Sequence, residues 1–401
     1  MDGARTPTWV SDELAGLDKA DARRRLITID SPIGGRVETG GRELLNFSSN
    51  DYLGLASHPE VRRAAADAAL KWGAGAGASR LITGTLAIHA QLEGRLAKLK
   101  GAEAAVLFST GYQANIGILQ ALASTGVVYS DELNHASIVD GCRLAGARTV
   151  VFRHSDMDDL EQKLAADTDE PRKLIVTDGV FSMDGDIAKL DEIVELAERY
   201  DAIVVVDEAH ATGVIGEGRG TAHHFGLDGR VHVHMGTFGK ALGGFGAFAA
   251  SSKEIVALLI NRARTLIYTT APPPPSVGAI FAALDIIERE PQRIERLAAH
   301  SRQLREGLAA LGFEVPSTGA QNAPTPIVPV ILGSNTRTLA WAAALRERGF
   351  WVHPIRPPTV AEGTSRLRIT VTSDHTTGEI DQLLAAFKEL LSKEMSEGDQ
   401  R

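Results

Sequence analysis

Ile203-Val204-Val205-Val206-Asp207-Glu208-Ala209-His210 sets four apolar, β-branched residues ahead of an acid and a histidine. A short, nearly continuous apolar run reads as a strand buried on both faces, and such strands belong to parallel sheets. Working outward, Ala104 to Phe108, Thr149 to Phe152 and Leu174 to Thr177 are runs of the same kind. Helical segments lie between and beside them: residues 88–100, a stretch from about Gln113, and Asp191 to Tyr200. This alternation predicts an α/β fold, with a large domain built on a mostly parallel central sheet flanked by helices. Pro272 to Pro275 interrupts the pattern, because four prolines in a row cannot continue a helix. A long charged helix over about 276–312 is expected next, then strands at Thr325 to Leu332, Phe350 to Ile355 and Ser365 to Val371 with two more helices. That layout predicts a smaller α+β domain. The expected division is an N-terminal arm and helix over 1–45 packing with the small domain, a large domain over 46–275, and the small domain over 276–401. Arg23, Arg24 and Arg25 are expected inside the arm's helix, and Gly73-Ala74-Gly75-Ala76-Gly77 in a loop.

Composition narrows the function classes. The chain has 401 residues, 44% hydrophobic and 23% charged, as expected of a soluble globular protein. Its net charge of -9 leaves no basic excess for nucleic acid or an anionic membrane surface. The single cysteine, Cys142, permits no intramolecular disulfide and reads as a small buried filler on a helix. Met1 to Val10 has an early acid, a proline and no apolar core, so it does not read as a secretory signal. No apolar run is long enough to span a bilayer, and a cytoplasmic enzyme is expected.

Asp207 and His210 stand at the carboxyl end of a core strand, where open α/β sheets bind ligands. An acid there must be paired with a cation or a hydrogen-bond donor. Asp-Glu-Ala-His after a strand is also a magnesium-holding pattern of helicases, but that reading needs an upstream phosphate loop, and none is present. A second strand-like stretch leads through Thr237-Phe238-Gly239 into Lys240, which Ala241, Gly243 and Gly244 follow. A lysine among small residues suits close approach to a planar ligand. A strand-end acid and a strand-end lysine are the pair that pyridoxal phosphate needs, one for its ring nitrogen and one for its aldehyde. Ser109-Thr110-Gly111-Tyr112-Gln113, between a strand and a helix, offers amides for the phosphate. Asn134-His135-Ala136-Ser137 offers an imidazole that could stack on the ring. His210, His223, His224, His232 and His234 have no zinc-site spacing, so no metal is expected; His232 and His234 read as one face of a strand. Arg366 and Arg368 alternate on one face of a strand, and Arg356 sits in a proline-rich turn, all suited to carboxylates.

Asn46 to Leu55, Asn134 to Ser137, Asp178 to Gly185, Asp207 to Gly213, Thr237 to Lys240 and Arg356 to Val360 with Arg366 to Arg368 together resemble the α-oxoamine synthases, a family of fold-type I pyridoxal-phosphate enzymes. The resemblance runs from about Arg23 to about residue 390. It implies that Lys240 carries the cofactor covalently, Asp207 pairs with its ring nitrogen, His210 binds its phenolic oxygen and His135 stacks on the ring. Gly111, Tyr112, Ser182, Thr237 and Thr270 would also contact the cofactor, Thr270 from a neighbouring subunit. Asn50 and Arg368 would hold the amino-acid carboxylate, while Arg23, Arg356 and Thr359 would face the acyl substrate. The implied reaction is an acyl transfer, a decarboxylative condensation of L-alanine with a pimeloyl thioester of coenzyme A or a carrier protein. The implied assembly is a homodimer with its site at the interface. Sibling reactions such as glycine C-acetyltransfer use the same four core residues. The rivals from other classes are a non-enzymatic cofactor-binding regulator and a metal-dependent hydrolase. Two positions depart from the family pattern: Asp178 stands for Glu, and Ala361-Glu362 for Pro plus a small residue.

Overall fold

A computed structural model describes residues 6–20, 22–167, 169–319 and 323–398. The chain opens with α1 (Thr8–Lys19), the hairpin β1 (Arg36–Thr39) and β2 (Arg42–Asn46), α2 (Pro59–Trp72) and α3 (Ala87–Lys100). The central layer follows as β3 (Ala104–Phe108), α4 (Gly111–Leu122), β4 (Val127–Asp131), α5 (Ala136–Ala145), β5 (Arg148–Phe152), α6 (Met157–Ala166), β6 (Lys173–Asp178), α7 (Leu190–Arg199) and β7 (Ala202–Asp207). It continues through α8 (Thr221–His224), β8 (Val233–Thr237), β9 (Ala247–Ser251), α9 (Lys253–Arg262) and α10 (Arg264–Ile267). The seven strands lie in the order β3-β9-β8-β7-β6-β4-β5. β8, β7, β6, β4 and β5 run parallel; β9 is antiparallel to both β8 and β3. Every strand except β9 therefore ends at the same edge of the sheet, and the mostly parallel α/β expectation is met.

β4 and β9 escape the apolar-run reading. β9 is Ala-Phe-Ala-Ala-Ser, without a β-branched residue, yet all five positions are buried. Phe248 and Ala250 face the core shared with Leu92 and Leu96 of α3, while Ala247 and Ala249 face Ala114 and Ile118 of α4. Small side chains are needed because helices close in on both faces.

The chain finishes with α11 (Pro274–Arg289), α12 (Gln292–Ala310), β10 (Ile327–Gly333), α13 (Asn335–Glu347), β11 (Phe350–Trp351), β12 (His353–Ile355), β13 (Ser365–Thr370) and α14 (Thr377–Gly398). α11 lies on α2 so closely that a Cβ on Gly278 would meet that of Ala68 at 2.5 Å. β10, β13 and β12 form one small sheet, and β1, β2 and β11 another.

Four sequence expectations need correction. The expected helix over 276–312 is two helices, broken where Pro291 can donate no amide hydrogen bond. The expected strand 350–355 divides at Val352, because β11 pairs with β2 and β12 with β13. Arg23, Arg24 and Arg25 follow α1 instead of lying in it. The stripe Val10, Leu14, Leu17 has no apolar continuation before Leu26, and the chain is irregular from 22 to 30. His232 precedes β8, and its Nδ1 accepts from the Val204 amide at 3.1 Å, so it shares no strand face with His234. Cys142 is buried on α5, as expected. Among the described residues no helix is long and apolar enough to cross a membrane.

Candidate active site

The common edge where the strands end holds a cavity of about 210 Å³ lined by Asn50, Gly111, Tyr112, Asn115, His135, Ser137, Asp178, Ser182, Asp207, His210, Thr237 and Lys240, among others. A larger groove, about 1140 Å³, runs between α3 and the α11–α12 corner. Its lining mixes apolar residues such as Leu284, Ile287 and Ile294 with charged ones such as Arg95, Glu288 and Arg302, and contains none of these groups. Convergent polar chemistry, not size, marks the smaller cavity as the site.

β7 delivers Asp207, which is buried and accepts at both oxygens. Asn115 Nδ2 donates to Oδ2 at 2.7 Å and the Ala209 amide to Oδ1 at 2.9 Å. In the next strand Asp178 stands level with Asp207. Burial and the neighbouring Asp207 charge push the Asp178 carboxyl well up from its ordinary value, although the His135 amide donates to its Oδ2 at 2.9 Å. Two carboxylates side by side create a demand for positive charge.

Lys240 answers that demand from the loop after β8. Burial brings its amine down to about 8, against the pull of Asp207 and Asp178. In the cofactor-free protein the amine should therefore combine with an added aldehyde faster as pH rises, about tenfold per unit below 8, then level off. A stopped-flow absorbance series with pyridoxal phosphate checks this. A rate flat from about pH 6 to 9 would contradict the depressed amine.

His210, in the turn after β7, is buried and sits 2.7 Å from the Tyr52 hydroxyl through Nδ1; burial pushes its imidazole well down. Arg368 of β13 donates to the Ser182 carbonyl at 2.6 Å and to Asn50 Oδ1 at 3.2 Å. Arg366 is spent on the segment between β6 and α7, bonding Asp184 and the Met183 carbonyl.

At the other end of the cavity α4 starts at Gly111. Thr110 caps it, its Oγ1 accepting from the Gln113 amide at 3.1 Å. The first amides of a helix have no intrahelical partner and favour an anion. Thr237 is held beside them by a bond from its Oγ1 to the Gly246 carbonyl at 3.0 Å. A lysine amine, a strand-end carboxylate and a capped helix start around one small cavity fit pyridoxal phosphate.

The remaining candidates stand apart from this cavity. Thr270 is exposed, and its carbonyl accepts from Ser109 Oγ at 3.3 Å. Arg23 is paired with Asp18 at 2.6 Å. It is Arg24 whose guanidinium reaches Thr359 Oγ1, at 3.5 Å, on the turn that also carries Arg356. Asn115, Ser137 and Tyr52 were not singled out from sequence. Asn115 alone left a signal, an amide flanked by apolar residues within the buried face of α4.

The histidines do not gather. His223 pairs with Asp228 at 2.7 Å, and His234 lies beside Glu208. Among the described residues, His58, Glu60 and Glu290 come close enough to share an ion, but Arg289 and Arg293 already bond those two carboxylates. Glu208, the second residue of the helicase-like pattern, is fully buried and bonded to Lys100, which also donates to Thr212 Oγ1 at 2.8 Å.

The family model for class I and II aminotransferases matches residues 42–387. The chain belongs to that family. An 8-amino-7-oxononanoate synthase of Anaeromyxobacter sp. (strain K) is 51% identical over 385 residues, covering 96% of this chain and 95% of that one. Its counterpart in Geobacter sulfurreducens is 47% identical over 382 residues, covering 94% and 96%. Among solved structures, a serine palmitoyltransferase from S. paucimobilis with bound PLP has a TM-score of 0.89 at 33% identity, covering 95% and 96%. An 8-amino-7-oxononanoate synthase from Francisella tularensis has 0.76 at 28%, covering 88% and 99%. These relatives share the α-oxoamine synthase branch to which the sequence motifs pointed, and with it the fold-type I architecture.

Proposed function

We propose that this protein condenses L-alanine with a pimeloyl thioester, releasing CO₂ and the thiol and forming 8-amino-7-oxononanoate, a step of biotin synthesis. The observation that carries the reading is the convergence of Asp207, Lys240, His135 and His210 on one small cavity. Identity near one half to 8-amino-7-oxononanoate synthases over almost the whole chain supports the choice of substrates.

Pyridoxal phosphate, when bound, supplies a protonated ring that accepts the electron pair released at the amino acid's Cα. Asp207, made an acceptor at both oxygens by Asn115 and Ala209, keeps the proton on the ring nitrogen. The α4 start, with Gly111 and Tyr112, holds the phosphate, and Thr237 flanks it. His210, oriented by Tyr52, addresses the phenolic oxygen. Arg368 and Asn50 face the amino-acid carboxylate, with Ser182 beside them. The Lys240 amine, unprotonated above about pH 8, takes the Cα proton. His135 donates a hydrogen bond to the acyl carbonyl oxygen while negative charge gathers there as Cα attacks; the carbonyl re-forms as the thiolate leaves. In this reading Arg356, Thr359 and an arginine of the 23–24 pair face the distal carboxylate of the acyl chain.

The same reading divides the chain into an arm (1–45), a cofactor-binding domain (46–275) and a small domain (276–401), assembled as a cytoplasmic homodimer. Thr270 then meets the cofactor phosphate of the partner. The donor is a thioester of coenzyme A or of a carrier protein.

Visible spectra of the cofactor-loaded protein, titrated separately with L-alanine, glycine and L-serine, test the assignment. Alanine should perturb the band at concentrations at least about tenfold lower than the other two, the discrimination that about 1.4 kcal/mol confers. A stronger response to glycine or serine would move the substrate to a sibling reaction. A protein that takes up no cofactor would remove the reading entirely.

A further inference from the structure

One amide joins the acid below the cavity to the imidazole beside it. Asn115 Nδ2 has two hydrogens; one goes to Asp207 Oδ2 at 2.7 Å and the other to Ser137 Oγ at 2.8 Å. The amide's orientation is not free, because a carboxylate accepts only and so must face the NH₂ side. With its oxygen accepting from Asn115, the Ser137 hydroxyl directs its own proton at the atom 2.7 Å away, His135 Nδ1. The Ser137 backbone amide donates to the same Nδ1 at 3.2 Å. A nitrogen that accepts two hydrogen bonds carries no proton. Asn115 and Ser137 are both buried, so no water competes for these bonds.

We propose that Asn115 and Ser137 are positioning residues that hold His135 in the neutral form with its proton on Nε2, the nitrogen turned away from α5. The Nε2–H that His135 offers to the acyl carbonyl oxygen in the condensation is thereby placed before substrate arrives. That role in turnover rests on the proposed function; the tautomer itself does not. Asn115 also ties the Asp207 carboxylate to the same network, so the acid that serves the ring nitrogen and the imidazole move together.

The surroundings support a neutral ring. Lys240 opposes a charge on His135 and Asp207 favours one; His210 and Asp178, whose Oδ2 accepts from the His135 amide, also face the site. Although the outer edge of the ring is open to solvent, the protein mass around it pushes the imidazole below its ordinary value.

The test uses the cofactor-free full-length protein labelled with ¹⁵N-histidine and multiple-bond ¹H–¹⁵N spectra across pH. His135 is assigned by the signal that disappears in His135→Gln. The expected pattern is a single neutral tautomer protonated on Nε2. In Ser137→Ala the imidazole's midpoint should rise by about one pH unit, the worth of one hydrogen bond to the neutral form. Ser137→Thr, which restores the hydroxyl, should return it toward wild type, and Asn115→Ala should move it in the same direction as Ser137→Ala. In the loaded enzyme the acid limb of kcat/KM should shift upward with the imidazole. A wild-type proton on Nδ1, or a Ser137→Ala titration superimposable on wild type, would overturn the proposal. The wild-type measurement needs no variant and no turnover, so a variant that fails to fold leaves the idea testable. Absence of condensing activity would count against the proposed function without touching the tautomer.

Discussion

Replacing Lys240 by alanine lowers condensation by about 10²–10⁴-fold, the range lost when a positioned proton acceptor is removed. The fold should survive, because the Lys240 amine donates no hydrogen bond among the described residues. Removing it also relieves the desolvation that lowers its pKa. The cofactor should still enter, held by the α4 start and Asp207, but dialysis should now strip it, since the covalent link is gone. Single-turnover assays with L-alanine and a pimeloyl thioester, alongside circular dichroism, check both halves. Normal turnover in Lys240→Ala would refute the assignment. Loss of turnover with loss of fold would call for Lys240→Arg, which keeps the charge near Asp207 and Asp178 but not the chemistry.

Lys100→Met should destabilise the protein by about 3–5 kcal/mol, the cost of leaving a buried charge without its partner. The side chains of Lys100 and Glu208 are 1% and 0% exposed. Lys100 also donates to Thr212 Oγ1 and to the Arg219 carbonyl, and Glu208 Oε1 accepts from the Ala222 amide at 3.1 Å. The pair thus gathers the turn that follows Asp207. Lys100 holds the Glu208 carboxyl down to about 2 against burial. A carboxyl depressed in the folded state contributes stability above its unfolded value of about 4.5, and that contribution fades as pH falls toward 2. Urea titrations near pH 7 should show the full loss in Lys100→Met. The double variant Lys100→Met with Glu208→Gln should recover most of it, because glutamine keeps the acceptor for Ala222 without the charge. A single variant as stable as wild type would show that the pair contributes nothing.

Lys100 and Glu208 also show where sequence reading stops. From sequence Glu208 carried no role of its own beyond the magnesium-holding pattern and the family motif, because its partner lies 108 positions upstream. The parallel strands were legible wherever Val and Ile dominate, as in β7, since burial on both faces demands a continuous apolar run. β9 was not, because alanines chosen for close helix packing carry no strand preference of their own. Asp207 and Lys240 were legible because Asp207 closes β7 and Lys240 follows the end of β8 by three residues, so local patterns place both at the ligand edge. Tyr52 beside His210 was not, being 158 positions away along the chain. Arg23 is the arginine that the family resemblance points at the acyl substrate, but the path of residues 22–30 turns it toward Asp18 and turns Arg24 toward Thr359.

By itself the amino-acid order determined the α/β class, the strand-end acid and lysine, the cofactor they require, and the family through its ordered motifs. These rest on patterns of a few consecutive residues, where hydrophobic period and turn chemistry act locally. Only the tertiary structure decided which groups orient the reactive ones. Asn115 meets Asp207 and Ser137, Tyr52 meets His210, and Arg368 meets Asn50 and Ser182 because separate strands and helices converge at one sheet edge. A hydrogen bond holds only over about 3 Å, and no run of neighbouring residues states which distant side chain the packed core will bring that close.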